Sequence, residues 1–366
     1  MTRPETIETL ERIVASAASL GRKLELRGGA SKSEIGAPRE AEIVDMTGFS
    51  GILDYDPAEL VLTCGAGTPL AEIEAAVAER DQMLAFEPFD HAPMFGRPAG
   101  GATIGGVVAA GVCGSRRLSR GGARDHLLGF KAVSGRGEAF VGGGKVVKNV
   151  TGYDLCKLMA GSWGRLAALT EVTLKVLPRS QTEVSLGVEG LDPADAVALM
   201  SRAMGSQADP AAAAHASGVT VVRLEGFGPS VEARTAMLQA MAPGMSVLDD
   251  RHAGVFWGEL INPLPDAAVL WRISVPASGG PDVLSATDGD WRMDWAGGLI
   301  WSSCEDAARV RLAATAAGGH AMLIRAPAAM RAEVPALHPP APGVGRLEDR
   351  VRRAFDPAGV FETGRF

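Results

Sequence analysis

The segment from Pro98 to Gly114, PAGGATIGGVVAAGVCG, constrains the fold more than any other part of the sequence. It contains six glycines and no charged residue in seventeen positions. It is shorter than the roughly 20 apolar residues of a membrane-spanning helix, and it is too apolar for an exposed linker. Each glycine weakens a helix or strand by about 0.5–1 kcal/mol. This density therefore predicts that the backbone packs closely against a bound molecule or a neighbouring element.

The remaining composition is that of a globular protein. The chain has 366 residues, which is enough for about two domains. Hydrophobic residues make up 46% of it and charged residues 22%, and no low-complexity segment is present. The net charge of −7 and the scattered basic residues argue against nucleic-acid binding.

Residues 1–21 predict an amphipathic surface helix, since apolar residues such as Leu10 and Val14 recur at helical spacing. Thr2 and Glu5 have the spacing of a capping box at its start. The segment is acidic and lacks the features of a signal peptide, so the expected compartment is the cytoplasm.

Neither the cysteines nor the histidines have the spacing of a metal site. The six histidines form no HExxH or other close pair, and no CxxC motif is present. We therefore expect no zinc or iron–sulfur cluster in this chain, and we expect reduced, buried cysteines at Cys64, Cys113, Cys156 and Cys304.

The sequence LRGGASK predicts a strand that runs into a glycine-rich loop. Consecutive backbone N–H groups in residues 27–31 would form a concave nest, with the Arg27 guanidinium and the Ser31 hydroxyl beside it. Such a loop suits a diphosphate, and an ordinary glycine turn is the alternative. A Rossmann site is poorly supported, because no GxGxxG motif opens a helix after an early strand.

Three further stretches are candidates for a cofactor site. Residues 103–106 offer backbone donors and a bare surface for a flat ring, or tight packing against a neighbouring element. Arg120, Gly121 and Asp125 either reach a cofactor or shape a turn. Residues 161–164 form another glycine-rich turn before a strand.

The composition changes near residue 180, where alanine becomes more frequent. Five of the six tryptophans lie between Trp257 and Trp301. The C-terminal half is predicted to be a layered α+β domain of the split β-α-β type. Its expected strands are 219–224, 268–275, 291–302 and 320–325, and its expected helices are 231–241 and 305–317. In the N-terminal half, Thr68 and Pro69 predict the start of a helix.

Several stretches, taken in order, resemble the flavoproteins of the vanillyl-alcohol oxidase / p-cresol methylhydroxylase (PCMH) type. Among these they are most similar to the FAD-binding subunits of bacterial glycolate oxidases (glycolate dehydrogenases). The resemblance is strong over residues 24–178 and resumes near the C-terminus. The stretches that carry it are LRGGASK, AGTPLAEIEAAVAERDQMLAFEP, ATIGGVVAAG, GKVVKNVTGYDLCKLMAGSWG, LTEVTLKVLPR, GGHAMLIRA and FDPAGVFETGRF.

The resemblance implies an α+β fold. Residues 1–178 would form a PCMH-type FAD-binding domain of two α+β subdomains. Residues 179–340 would form a smaller, ferredoxin-like α+β cap domain, and residues 341–366 a C-terminal helix and tail that return to the FAD domain. The glycines of the 98–114 segment would then clear space for FAD.

The resemblance also assigns the FAD-binding residues. Covalent members of the family carry a histidine just after the paired glycines of the first loop, where this chain has Ala30 and Ser31. FAD is therefore expected to bind non-covalently, and no metal is expected. The implied FAD-binding residues are Arg27, Gly28, Gly29, Ala30, Ser31, Gly67, Thr68, Ala102, Thr103, Ile104, Gly105, Gly106, Arg120, Gly121, Asp125, Gly164, Leu169 and Val172.

The implied activity is oxidation of glycolate to glyoxylate by hydride transfer to flavin, carried out by a complex. The HxGDGNxH motif of related single-chain dehydrogenases is absent. The partners that the resemblance implies are a larger flavin subunit that carries the substrate histidines and an iron–sulfur subunit. Through such partners the chain could also lie at the inner membrane.

Catalytic residues are harder to assign. Arg272 and Arg325 are candidates for the substrate carboxylate, and Lys148, Arg116 and Arg117 for a cation near the flavin. One alternative is a self-sufficient FAD-dependent dehydrogenase of another small 2-hydroxy acid, whose base would be sought among His91, His252 and His320. The other alternative is a non-catalytic assembly subunit with structural FAD.

Overall fold

The computed structural model describes residues 1–144 and 153–366. Its strands are β1 (Leu24–Arg27), β2 (Glu42–Asp45), β3 (Ile52–Asp56), β4 (Val61–Gly65), β5 (Gln82–Met83), β6 (Leu127–Ser134), β7 (Ala139–Gly143), β8 (Ala167–Lys175), β9 (Leu177–Pro178), β10 (Thr182–Glu189), β11 (Ala212–Ala216), β12 (Val219–Gly226), β13 (Ser246–Val247), β14 (Leu270–Ser274), β15 (Trp291–Asp294), β16 (Leu299–Ser302) and β17 (His320–Arg325). Its helices are α1 (Ile7–Leu20), α2 (Leu70–Ala78), α3 (Ile104–Ala110), α4 (Arg117–Arg120), α5 (Ala123–His126), α6 (Leu155–Met159), α7 (Pro193–Met204), α8 (Gly228–Met241), α9 (Asp250–Ile261), α10 (Gly280–Ala286), α11 (Ala307–Ala316), α12 (Ala328–Glu333) and α13 (Pro342–Phe355).

The predicted N-terminal helix is confirmed as α1, but its cap differs from the prediction. The Thr6 hydroxyl accepts a hydrogen bond from the Thr9 N–H at 3.2 Å, so Thr6 is the N-cap. The predicted capping box at Thr2 is wrong, because the backbone of Thr2 pairs with Val44 of strand β2 and is therefore extended.

The N-terminal half contains an antiparallel sheet with the strand order β3-β4-β8-β6-β7 and a separate parallel pair, β1-β2. Helix α2 starts after Pro69, one residue later than predicted. Thr68 does not cap it, since the Thr68 hydroxyl donates to the Gly65 carbonyl at 2.7 Å.

The glycine-rich segment folds into the short helix α3 and the extended loops on either side of it. Ile104, Val107 and Val108 are fully buried. The helix ends at Gly111, which has a left-handed φ of 64°, a conformation that glycine adopts without strain. The segment therefore lies inside the N-terminal half rather than on its surface.

The C-terminal half contains a sheet with the order β13-β10-β12-β11-β15-β16-β14-β17 among the described residues. The expected strand at 291–302 is a hairpin, β15 and β16, interrupted at Trp295 and Ala296. Both of these residues have positive φ, 52° and 54°. Strands β10 and β11 and helices α7 and α9 were not predicted. The α+β fold class is confirmed.

One face of this sheet packs on the N-terminal half, and the other packs on helices. Leu270, Trp301 and Ile324 belong to the same buried cluster as the core of the N-terminal half. Trp271 and Ile273 belong to a second cluster under the helices. Because side chains alternate along a strand, Arg272 and Ser274 of β14 face the N-terminal half.

The C-terminal tail also packs on the N-terminal half. Val360 and Phe361 are buried in one cluster with Leu10 and Val14 of α1. The Asp356 carboxylate accepts hydrogen bonds from the N–H groups of both tail residues, at 2.8 and 2.7 Å. Among the described residues, we find no helix with the length and apolar character that a membrane span requires.

Candidate functional site

The largest group of expected site residues lines one cleft in the N-terminal half, which we call the glycine cleft. It encloses about 740 Å³, including its open mouth. Its lining includes ten expected residues: Arg27, Gly28, Gly29, Ala30, Ser31, Thr103, Gly105, Gly106, Gly164 and Leu169. The first loop and the first turn of α3 therefore lie on the same cleft.

The loop of residues 27–32 has the geometry of an anion-binding nest. Ala30 has a left-handed φ of 58°, which turns successive N–H groups toward one side of the loop. Among the described residues, no acceptor takes a backbone hydrogen bond from the N–H groups of residues 29–32. Such unused amides in a cleft suit an anionic group.

Close backbone packing explains most of the glycines. A Cβ at Gly29 would lie 1.3 Å from the Gly101 carbonyl oxygen. A Cβ at Gly105 would lie 2.7 Å from the Ala66 carbonyl oxygen. The absence of a side chain at Gly105 therefore allows α3 to pack closely on the end of β4. A Cβ at Gly106 would meet only the Thr103 hydroxyl oxygen, at 3.3 Å, and would face the cleft. Gly105 therefore fits the prediction of close packing against a neighbouring element, and Gly106 fits the prediction of space for a bound molecule.

The other expected FAD-binding residues do not line the glycine cleft. Thr68, Ile104 and Val172 are fully buried in the protein core. Asp125 accepts a hydrogen bond from the Gly122 N–H at 2.9 Å and thereby shapes a turn. The remaining residues outside the cleft lining are Gly67, Ala102, Arg120 and Gly121.

The sequence did not reveal several charged residues of the cleft. Lys32 and Arg365 line it, as does Glu25. Glu25 accepts hydrogen bonds from Arg39 at 2.5 Å and from Arg27 at 3.1 Å. Burial opposes ionisation, but the two guanidinium groups hold the pKa of Glu25 below its usual value. In the sequence, only the position of Lys32 directly after the predicted loop could have indicated a charged residue of the cleft.

A second cavity, which we call the arginine cavity, lies between the N-terminal half and the sheet of the C-terminal half. It encloses about 600 Å³ including its mouth, and Ala110 lines both this cavity and the glycine cleft. Its lining residues are Ala110, Gly111, Arg117, Ala123, Arg124, Ala160, Gly161, Arg272, Ser274, Trp295 and His320.

Two arginines flank a tryptophan in the arginine cavity. The guanidinium carbons of Arg117 and Arg272 each lie 4.9 Å from the ring centroid of Trp295. Arg272 makes no hydrogen bond or ion pair with any described residue, and burial lowers its pKa. The Asp294 carboxylate acts on Arg272 through its charge alone, and neither arginine forms a salt bridge with a described carboxylate. The two cations therefore suit an anion.

The other cationic candidates have structural partners. Arg325 donates hydrogen bonds to the carbonyl oxygens of Met94 and Leu264. Arg116 pairs with Glu87 at 2.8 Å and with Glu225 at 2.6 Å, in a network between the two halves. Lys148 lies outside the described residues.

The three histidine candidates occupy different places. His91 is buried and stacks on Phe89 at 4.7 Å, and burial holds its pKa well below the usual value. His252 is exposed and bonds to Asp249 at 2.7 Å. His320 lines the arginine cavity, where burial and Arg272 lower its pKa. Its imidazole is therefore neutral at pH 7.

No group of three or more histidine, cysteine or acidic side chains that could hold a metal ion is found in residues 1–144 and 153–366. All four cysteines are buried, and none forms a disulfide.

Comparison with known proteins identifies the cofactor. Residues 1–143 match a family model described as "FAD binding domain". The chain is 37% identical over 352 residues to the glycolate oxidase subunit GlcE of Escherichia coli K12, which covers 93% of this chain and 92% of that protein. It is 31% identical over 189 residues to D-lactate dehydrogenase of Archaeoglobus fulgidus, which covers 51% of this chain and 41% of the relative.

The fold is also similar to that of a solved structure. Alkyldihydroxyacetonephosphate synthase superposes with a TM-score of 0.66 over 98% of this chain and 74% of its own, at 14% sequence identity. This likeness shows the fold alone. The expected FAD cofactor is confirmed by the domain match, and the free amides and cations of the glycine cleft fit its diphosphate.

Proposed function

Since the chain belongs to the family of the glycolate oxidase subunit GlcE, we propose that it is the FAD-binding subunit of a complex that oxidises glycolate to glyoxylate. The observation that supports this function most strongly is the arginine cavity. It places cationic side chains that form no salt bridge with a described residue next to the FAD-binding half of the chain, as recognition of a small carboxylate requires.

In this proposal the two cavities have separate roles. The loop of residues 27–32 binds the FAD diphosphate through its free N–H groups. Arg272 binds the substrate carboxylate through its planar guanidinium fork, and Arg117 adds positive charge beside it. When bound, FAD supplies the acceptor for the hydride that leaves the hydroxy-acid carbon.

We propose two partner subunits, a larger flavin subunit with the substrate histidines and an iron–sulfur subunit. Two features support them: the HxGDGNxH motif is absent from the sequence, and the described residues contain no metal-binding group that could pass electrons onward. The complex would act in the cytoplasm, either free or held at the inner membrane through its partners.

Stopped-flow mixing with glycolate tests this function. We expect the FAD band of the isolated chain to persist and to bleach once both partners are added. The reason is that His320, the histidine of the arginine cavity, has no hydrogen-bond partner among the described residues that would orient it as a base. General acid–base catalysis typically raises a reaction rate about 10²–10⁴-fold, so the isolated chain should react slowly. Rapid bleaching of the isolated chain would instead identify a self-sufficient dehydrogenase. No bleaching with partners present would refute glycolate oxidation.

FAD should bind non-covalently. Ala30 occupies the place of the histidine that covalent relatives use, and an alanine side chain cannot form a bond to the flavin. Acid precipitation of the purified protein should leave all the flavin in the supernatant. Yellow colour in a washed pellet would contradict this expectation.

A further inference from the structure

We propose that Lys32, together with Arg365 of the C-terminal tail, provides the counter-charge for the FAD diphosphate, so that FAD binding draws a proton onto Lys32 at alkaline pH. The inference rests on FAD binding and does not depend on which hydroxy acid the complex oxidises.

Lys32 is a buried cation with no ion-pair partner among the described residues. Its residue surface is 8% exposed, and it lines the glycine cleft. Its ammonium group donates one hydrogen bond, to the Ser31 hydroxyl at 3.2 Å. No salt bridge joins it to a carboxylate in the part of the chain that the structure describes. A buried charge in this state is costly until an anion enters the cleft.

The Asp90 carboxylate raises the pKa of Lys32 through its charge, without a hydrogen bond to the ammonium group among those that the structure shows. One Asp90 oxygen accepts a hydrogen bond from the Ala92 N–H at 2.9 Å. The other accepts from the N–H groups of Gly100 and Ala102, at 2.9 and 3.1 Å. The Asp90 carboxylate is therefore already engaged in holding the loop before α3.

Arg365 brings a second cation to the same loop from the far end of the chain. It donates to the Ile35 carbonyl at 2.8 Å and to the Lys32 carbonyl. Its guanidinium carbon lies 4.9 Å from the Phe366 ring centroid and 5.6 Å from that of Trp163. These contacts fix the position of the charge. Burial and the nearby Arg39 lower the pKa of Arg365, but a delocalised guanidinium, unlike a lysine ammonium, stays protonated over the pH range of the test.

The charges around Lys32 leave an excess of positive charge. The cations are Lys32, Arg27, Arg39 and Arg365, and the carboxylates are Glu25 and Asp90. Arg97, which donates to the Ser31 carbonyl at 3.3 Å, forms an ion pair with Glu34 at 3.6 Å, and this pair leaves the balance unchanged. The neighbouring His91 is neutral, because burial and the nearby cations lower its pKa. Four cations against two carboxylates match a ligand that carries a dianionic diphosphate.

This arrangement predicts a proton linkage. Burial, reinforced by Arg365 and opposed by Asp90, lowers the pKa of Lys32 to about 8 in the FAD-free protein. A bound dianion favours the charged ammonium and raises this pKa again. FAD binding therefore takes up a proton above pH 8, and the affinity falls as pH rises, by up to about tenfold per pH unit.

Calorimetric titration of the FAD-free full chain tests the proposal. FAD is titrated at pH 8.5 in two buffers of different ionisation enthalpy, which gives the protons taken up on binding. We expect about 0.5–0.8 proton per FAD for the wild type. Lys32→Met should lose this uptake and bind FAD about 10- to 100-fold more weakly at pH 7.

Two further variants make the test specific. Lys32→Arg keeps a charge that does not titrate, so it should retain affinity but show neither proton uptake nor loss of affinity between pH 7 and 9. The matched control is Lys131→Met, because Lys131 lies in an exposed ion pair with Glu171 at 2.9 Å. This control should behave as the wild type in both measurements.

The opposing outcomes are distinct. Wild-type protein that binds FAD without proton uptake overturns the proposal, and so does proton uptake that persists in Lys32→Arg. If Lys32→Met fails to fold, as judged by circular dichroism, Lys32→Arg decides the question. Failure of the glycolate experiment would leave these results unchanged, which separates this inference from the proposed substrate.

Discussion

Replacing Arg272 with methionine should weaken glycolate binding to the FAD-loaded complex by at least about 2 kcal/mol, or roughly 30-fold. The FAD content and the melting temperature should stay close to those of the wild type. Arg272 has no ion pair to lose among the described residues, so its removal should cost mainly its contact with the Trp295 ring, about 0.5–1 kcal/mol. Glycolate affinity is read from the perturbation of the flavin absorbance, and the rate from stopped-flow reduction.

Arg325→Met is the matched control, since both residues are arginines on neighbouring strands of the same sheet. Arg325 donates to two carbonyl groups, those of Met94 and Leu264. Its loss should therefore lower the melting temperature and leave glycolate affinity unchanged. The reverse pattern, in which glycolate affinity is lost in Arg325→Met alone, would show that the substrate carboxylate does not bind in the arginine cavity.

Gly29→Val should abolish FAD binding and destabilise the chain. The added Cβ would lie 1.3 Å from the Gly101 carbonyl oxygen, so one of the two loops that line the glycine cleft must move. Overpacking of this kind usually costs about 1–3 kcal/mol, and the displaced loop carries the free N–H groups. The measurements are FAD retained after gel filtration and the melting temperature.

Gly258→Val provides the control for Gly29→Val. Gly258 lies in helix α9, and a Cβ there would have nothing within 4 Å. Valine is a better helix former than glycine, so this variant should retain both FAD and stability. A Gly29→Val protein with wild-type FAD content would show that the cofactor lies outside the glycine cleft.

Local patterns in the sequence were sufficient to predict the loop of residues 27–31 and helix α1. These features depend on neighbouring residues, through turn chemistry and helical spacing. Strand β11, with the sequence AAAHA, was missed because alanine favours helices, and here its pairing with β12 overrides that preference.

Contacts between distant residues could not be predicted in this way. Arg365 bonds to Ile35 across 330 positions, and the fold alone brings them together. The same is true of Arg117, Arg272 and Trp295. Arg116 illustrates the converse: it was a candidate cation for the flavin, but the fold places it against Glu87 and Glu225.

The core shared by the two halves limits how molecules enter and leave. Leu270, Trp301 and Ile324 are buried in the same cluster as the core of the N-terminal half, and the Trp295 indole N–H bonds to the Gly114 carbonyl at 3.0 Å. Opening the arginine cavity by separating the halves would expose this apolar surface to water. A molecule that enters this cavity without that cost passes through its existing mouth, so access would depend on side-chain and loop motion rather than on a hinge.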